Sequence, residues 1–413
     1  MTIIEFFDRE SSVENIAGAL LCSPDKVIFI GDSGKRMRKS IENYKAVTCG
    51  RGLDIDFSYR GVGKNNLNSI VSVLEEIIAD NSDCVIDLSG GEDLFLVAVG
   101  IVFEKYGDKI KLHRFNIINN SIIDCDADGY PCLSSPMELS VDEDVRIYGG
   151  RVIYADERPN ATYEWNFDSE FKNDVKAMWS VCKKDATLWN SQINVLGKLG
   201  NNYLNIDTLR FSLKRDKIKA ETEAKKDKFV FVPEIFEALE SAGVIRNLET
   251  DNNNLKFNYK NEQVLKCLTK AGQLLELVIA VTAMEIRDEN NSALYKDVKT
   301  GVCIDWDGIT RTDSRIEVEN EMDVILMKGM IPVFISCKNG FVRSDELYKL
   351  SVVSERFGGR FVKKILIASE LDKLGVSAEY LRARAKDMGI RIVEDVDKMS
   401  DEKLKKVIGS LWQ

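Results

Sequence analysis

Residues 320–340 read NEMDVILMKGMIPVFISCKNG, two apolar runs joined at Lys328-Gly329. Lys328-Gly329 turns the chain, so the runs pair as an antiparallel hairpin. Side chains alternate along a strand, which sends Ser336 and Lys338 to one face and Ile335 and Cys337 to the other, into a core. Asp323, set between the apolar Met322 and Val324, comes alongside Ser336 and Lys338 across the turn. Upstream, Leu274, Leu275, Leu277, Val278 and Val281 mark a long apolar helix, and a further strand is expected near Val302 to Trp306. Downstream, a helix from Ser344 to Phe357, the pair Gly358-Gly359 and a strand from Val362 to Ala368 complete the unit. The expected order is helix, three strands, helix, strand, helix.

Composition bounds what this unit can belong to. With 413 residues, 44% of them hydrophobic, the chain divides more comfortably into two or three domains than one. Acidic residues (67) outnumber Lys and Arg (57), so a nucleic-acid partner would need a local basic surface. Nine cysteines without a CxxC pair read as reduced, mostly buried thiols of a cytoplasm. MTIIEFFDRE has no basic leader, and no apolar run approaches the roughly 18 residues of a membrane helix, so a soluble, cytoplasmic chain with no membrane partner is expected. The single histidine, His113, lies in the strand-like IKLHRFNII and reads as an ordinary strand residue, which sets aside Ser-His-Asp triads and Cys-His dyads, while HExxH zinc sites need two histidines. Hydrolysis would have to use carboxylates, Lys, Tyr, Ser, Cys or an oxygen-ligated metal.

Residues 1–150 alternate strands and helices, the pattern of a parallel α/β sheet. Ile3 to Phe7, Lys26 to Ile30 and Cys84 to Leu88 read as strands. Leu67, Ile70, Val71, Leu74, Ile77 and Ile78 lie on one face of a helix. Segments 112–118 and 121–125 flank Asn119-Asn120 and suggest a hairpin with a two-residue turn. Ser140 with Glu143 has capping-box spacing, and Gly149-Gly150 stops the helix it starts. Residues 151–262 are a connector with weak strand alternation. Pro233 opening a helix, Gly243 closing it, and strands at 244–245 and 255–259 fit either a winged helix or a plain helical spacer. Residues 263–413 form the last domain.

Two Gly-bearing loops end strands of the first domain: Asp32-Ser33-Gly34-Lys35, and Ser89-Gly90-Gly91 after Asp87-Leu88. Such turns present backbone N–H groups to anions, at the sheet edge where α/β folds bind ligands. A capped helix start has the same pattern.

The hairpin and its flanking elements resemble the PD-(D/E)xK nuclease superfamily, whose core is a helix, a three-stranded meander, a helix and a strand. By that resemblance Asp323 and the Cys337 carbonyl would bind Mg²⁺ or Mn²⁺, with Glu276 on the opening helix as the further acid that orients the attacking water. Lys338 would position or polarise the nucleophile. A divalent ion held by hard oxygens lowers the pKa of water and neutralises the phosphodiester, and the ammonium stabilises added charge. One position departs: the motif's acid is Ser336, leaving Glu276 or Glu321 to compensate.

The opening IIEFFDRE, the Ser-Gly-Gly loop after VIDL, the hairpin and the FGGR at 357–360 together resemble the CARF (CRISPR-associated Rossmann fold) nucleases over nearly the whole chain. The resemblance implies a Rossmann-like CARF domain, a middle helical or winged-helix module and a restriction-endonuclease-like domain. It also implies a homodimer in type III CRISPR antiviral defence, armed when cyclic tetra-adenylate binds loops carrying Ser11, Ser12, Asp32, Ser33, Gly34, Lys35, Ser89, Gly90 and Gly91. Ser11 and Ser12 read equally as a helix cap. Expected substrates are single-stranded RNA or DNA, with nicking of duplex DNA. Arg343, Lys349, Arg356, Arg360, Lys363, Lys364, Arg382 and Arg384 are expected to cluster beside the hairpin as a track for the nucleic-acid backbone. The competing reading is a non-catalytic sensor whose middle module binds DNA and whose nuclease domain is degenerate.

Overall fold

The computed structural model describes residues 1–413 apart from 33, 64, 127, 128, 130, 134–136, 215–231, 251–253, 310–318, 341 and 372–375. Strands β1 (Thr2–Phe6), β2 (Lys26–Gly31), β3 (Asp56–Gly61), β4 (Cys84–Asp87), β5 (Ile110–Asn116), β6 (Ser121–Asp124) and β7 (Pro131–Leu133) form one sheet, in the order β3-β2-β1-β4-β5-β6-β7. The first five run parallel. Helices α1 (Ser12–Cys22) and α2 (Lys35–Gly50) pack on one face, α3 (Leu67–Asp80) and α4 (Asp93–Tyr106) on the other. Cover on both faces is why β1, β2 and β4 are near-continuous apolar runs rather than alternating ones. The parallel order brings the loops after β1, β2 and β4 to one edge.

The β5–β6 turn corrects the two-residue expectation. Pairing ends at Asn116 and Ser121, so four residues turn the chain. Asn116 Oδ1 accepts from the amides of Ile118 and Asn119, and Asn120 takes the positive φ (49°). The side chain of Asn116 extends the turn by mimicking backbone. The short helix α5 (Val141–Ile147) is closed at its start by the Ser140/Glu143 capping box and at its end by Gly149 at φ 85°.

The next strand, β8 (Arg151–Ile153), leaves the first sheet altogether and pairs with a strand 150 residues later in the C-terminal sheet. Between them lies the middle module: α6 (Ser169–Cys182), α7 (Ala186–Tyr203), β9 (Leu204–Asn205), β10 (Arg210–Lys214), α8 (Pro233–Ser241), β11 (Ile245–Thr250) and β12 (Asn254–Tyr259). Its sheet order, β11-β12-β10-β9, sets the β11–β12 hairpin beside an earlier strand, as in a winged helix. Alternation is clear within β10, where Phe211 and Leu213 are buried and their neighbours exposed, although the segment around it obscures the pattern.

The C-terminal part begins with α9 (Glu262–Cys267) and α10 (Gln273–Glu285). Strands β13 (Asp297–Asp305), β14 (Glu319–Lys328) and β15 (Ile331–Asn339) then form the meander. They are followed by α11 (Asp345–Gly358), β16 (Lys363–Ser369), α12 (Val376–Asp387), β17 (Ile390–Val393) and α13 (Asp401–Gly409). The sheet order is β17-β16-β15-β14-β13-β8. α10 is apolar on all sides because the middle module covers one side and this sheet the other; Trp165, Trp179 and Trp189 belong to that core. The opposite face, with Ile325, Phe334 and Leu366, shares one continuous core with α1, α2 and α5 of the first sheet. Among the described residues no helix is long and apolar enough to cross a membrane.

Candidate active site and ligand edge

Ladder pairing between β14 and β15 runs from Lys328–Ile331 to Val324–Ile335 and stops there. Beyond that point the Cys337 amide turns away from the ladder and donates to Asp323 Oδ2 at 2.6 Å. The same oxygen accepts from the Ser336 hydroxyl at 3.1 Å and from Lys338 Nζ at 3.4 Å. Asp323, Ser336 and Lys338 are thus brought together, while the Cys337 side chain faces the core containing α10. Burial of Lys338 favours the neutral amine, but the carboxylates of Asp323 and Glu346 outweigh it and hold the ammonium above the ordinary lysine range. These residues line a cavity of about 290 Å³ with Glu319, Glu321, Glu346 and Lys349.

Glu276 approaches from behind the sheet. It is buried within α10, and its Oε2 has no hydrogen-bond partner. Burial, then the Asp323 charge, raises its pKa well above the usual carboxylate range. Gly301, at φ 56°, lies opposite Asp323 between the Thr300–Val324 and Val302–Met322 pairs. A Cβ there would come within 3.9 Å of Glu276 Oε2 and 3.7 Å of Glu321 Oε1, so its absence leaves a gap between the two acids. Glu321 itself is half exposed and paired to Lys270 at 2.9 Å.

Among the described residues no group of three or more His, Cys, Asp or Glu is arranged to hold a metal ion. The donor chemistry does fit a hard divalent cation: an orphaned buried carboxyl oxygen on Glu276, the Asp323 carboxylate and the Cys337 carbonyl are all oxygens. A cation held there would favour the ionised form of Glu276.

The proposed ligand residues occupy the edge formed by the ends of β1, β2 and β4. Ser89 Oγ accepts from the Phe115 amide, and its own amide donates to Asp87 Oδ1 at 2.6 Å. A Cβ on Gly90 would lie 2.5 Å from the Phe6 carbonyl oxygen, and one on Gly91 would meet the Phe6 ring, so this loop is pressed onto β1. Asp32, Gly34 and Lys35 are exposed at the start of α2, and Ser33 lies outside the described residues. Ser11 holds the N-cap position of α1 without a side-chain cap bond, and its Oγ is buried and unpartnered.

Ser12 lines a larger cavity, about 770 Å³, between this edge and the C-terminal part. Arg9, Arg36 and Lys39 face Arg356 and Arg360 across it. Arg356 is half buried and donates to the carbonyls of Tyr148 and Trp306; burial lowers its pKa. Arg360 pairs with Asp8 at 3.4 Å.

The expected basic track beside the hairpin is not one surface. Arg356 and Arg360 point to the larger cavity, Arg382 pairs with Glu394, Lys364 with Glu355 and Arg343 with Asp345. Lys363 donates to the Gln413 carbonyl and Arg384 to the Tyr348 hydroxyl. Only Lys349 borders the smaller cavity. Glu346 escaped the sequence reading; its signal was an acid in the first turn of the helix after the motif strand.

No family model matches the sequence, and no curated protein matches it. Solved structures do. The protein VC1899 from Vibrio cholerae superposes with a TM-score of 0.72 at 17% identity, over 100% of this chain and 97% of that one. Can2 from Sulfobacillus thermosulfidooxidans, solved in complex with cyclic tetra-adenylate, superposes with a TM-score of 0.63 at 15% identity, over 99% of this chain and 97% of that one. At such identities the likeness is one of fold, and it covers the chain from the first sheet to the last.

Proposed function

We propose that this chain is a metal-dependent endonuclease of type III CRISPR defence, armed by cyclic tetra-adenylate, which cleaves single-stranded RNA or DNA and nicks duplex DNA. The observation that carries the reading is the meeting of Asp323, Ser336 and Lys338 at the end of the β14–β15 ladder, beside the buried acid Glu276. Asp323, the Cys337 carbonyl and Glu276 would hold Mg²⁺ or Mn²⁺. When bound, that ion acidifies water and neutralises phosphate charge. Lys338 supplies a fixed ammonium for the charge that develops on the phosphate in the transition state. Glu276 would orient the attacking water.

For the activator, Ser12 and the Arg9, Arg36, Lys39, Arg356 and Arg360 side chains offer donors to phosphates within a cavity shared by both halves of the chain. A ligand that binds this cavity more tightly in one arrangement of the halves shifts the population towards it. Homodimer formation is supported by apolar stripes on both halves: Leu96, Val97 and Ile101 on α4, and Tyr348 and Val352 on α11, are exposed. Burying such stripes against a second copy removes them from water.

The sensor alternative draws on Ser336 and on the winged-helix order of the middle module. Its reading element would be α8, whose exposed face carries Glu234, Glu237 and Glu240. Three carboxylates repel a phosphate backbone, which favours the nuclease. The test uses labelled single-stranded RNA, single-stranded DNA and supercoiled plasmid with Mn²⁺ or Mg²⁺, with and without cyclic tetra-adenylate. Asp323→Ala and Lys338→Ala are the controls. Ligand-dependent cleavage lost in both variants is expected. Ligand binding with no cleavage under any condition would leave the sensor, and cleavage independent of ligand a constitutive enzyme.

A further inference from the structure

We infer that Glu346 supplies the carboxylate missing from the motif at Ser336, acting as a metal-binding catalytic residue delivered by α11 rather than by β15. The inference rests on the nuclease reading and names a member of its site.

Ser336 cannot fill the role itself. Its hydroxyl is spent as a donor to Asp323 Oδ2, so it adds no negative charge where the motif would place an acid. The chain then leaves β15 and starts α11, whose first turn comes back over the same cavity. Glu346 lines that cavity with Asp323, Ser336 and Lys338, and its side chain is only 19% exposed. Its Oε2 stands 3.1 Å from Lys338 Nζ, while Asp323 Oδ2 stands 3.4 Å from the same nitrogen. Two carboxylates from different elements therefore flank a single cation. In this arrangement the ammonium occupies ground where a divalent ion would be attracted more strongly, because Coulomb attraction scales with charge. An ion held by these carboxylates would leave the Lys338 ammonium to the phosphate.

The other acids nearby are committed elsewhere. Glu321 is paired with Lys270, Glu319 with Arg158 and Asp345 with Arg343. Glu346 has a second contact, Oε1 to Lys349 Nζ at 3.2 Å, but that lysine is 66% exposed and its pairing is weak in water. With Glu346, the cavity has carboxylates converging on Lys338 from two different elements: Asp323 on β14 and Glu346 on α11.

The test measures Mn²⁺ binding to the full chain by titration calorimetry, without substrate, for the wild type, Asp323→Ala, Glu346→Gln and the double variant S336E/E346Q. Melting curves check that each is folded. Glu346→Gln is isosteric and should lower Mn²⁺ affinity at least about tenfold, the loss typical of disturbing even outer-shell partners. The double variant, which moves the acid back to β15, should recover affinity and ligand-dependent cleavage. Wild-type Mn²⁺ affinity in Glu346→Gln, with loss in Asp323→Ala, overturns the inference and leaves the nuclease reading intact. A folded double variant that does not recover also overturns it. Absence of Mn²⁺ binding in the wild type overturns both.

Discussion

Glu5 and Asp87 face each other in register on the adjacent parallel strands β1 and β4, and both are almost wholly buried. The two carboxyls sit beneath α1, where Gly18 makes room for them; a Cβ there would lie 2.8 Å from Glu5 Oε1 and 3.7 Å from Asp87 Oδ2. Burial raises the Asp87 pKa from 3.8 to about 6, against the opposing hydrogen bonds from Ser89. Burial, then the Asp87 charge, raises Glu5 well above the carboxylate range. The folded state therefore holds the Asp87 proton after the unfolded state has released it. Its stabilising contribution is complete below about pH 4 and is lost as pH rises through about 6. At about 1.4 kcal/mol per pH unit, the loss approaches roughly 3 kcal/mol at neutral pH. Asp87→Asn keeps an Oδ1 acceptor for the Ser89 amide and removes the ionisation. Relative to this variant, the wild type should lose up to about 3 kcal/mol between pH 4 and 7. The assay is hydrogen exchange of the β1 and β4 amides, corrected for intrinsic rates at each pH. A difference that stays constant from pH 4 to 8, or that grows in favour of the wild type, would refute the reasoning.

Gly90→Ala places a Cβ 2.5 Å from the Phe6 carbonyl oxygen, so the loop must lift; calorimetry should show cyclic tetra-adenylate bound about tenfold more weakly, a loss of about 1.4 kcal/mol. Arg356→Met strips the guanidinium from the Tyr148 and Trp306 carbonyls; urea unfolding should show a loss of about 1–3 kcal/mol, and wild-type stability would contradict it. Ser140→Ala removes the capping box of α5 and should cost about 1 kcal/mol in the same experiment. EDTA should abolish cleavage and excess Mn²⁺ restore it, while cleavage persisting in EDTA would rule out the metal-dependent reading.

Much of the architecture was legible locally. The hairpin at 320–340 declared itself through two apolar runs joined at Lys328-Gly329, and α3 through its helical stripe; Ser140 and Glu143 announced α5. The face shared by Asp323, Ser336 and Lys338 followed from the alternation of side-chain direction along a strand. Each of these is set by neighbours a few residues apart, where backbone geometry leaves few choices. The pairing of β8 with β13 was not legible, because a three-residue strand carries no information about a partner 150 residues away. Nor was the dispersal of the basic residues, since a charge's direction depends on which helix or strand end bears it. Sequence alone determined a parallel α/β first part and a motif hairpin short of one acid. Only the tertiary structure decided that Glu346, from the next helix, shares Lys338 with Asp323, and that the ligand edge and the C-terminal part wall one basic cavity. Those juxtapositions arise from packing between elements distant in the chain, which local spacing does not encode.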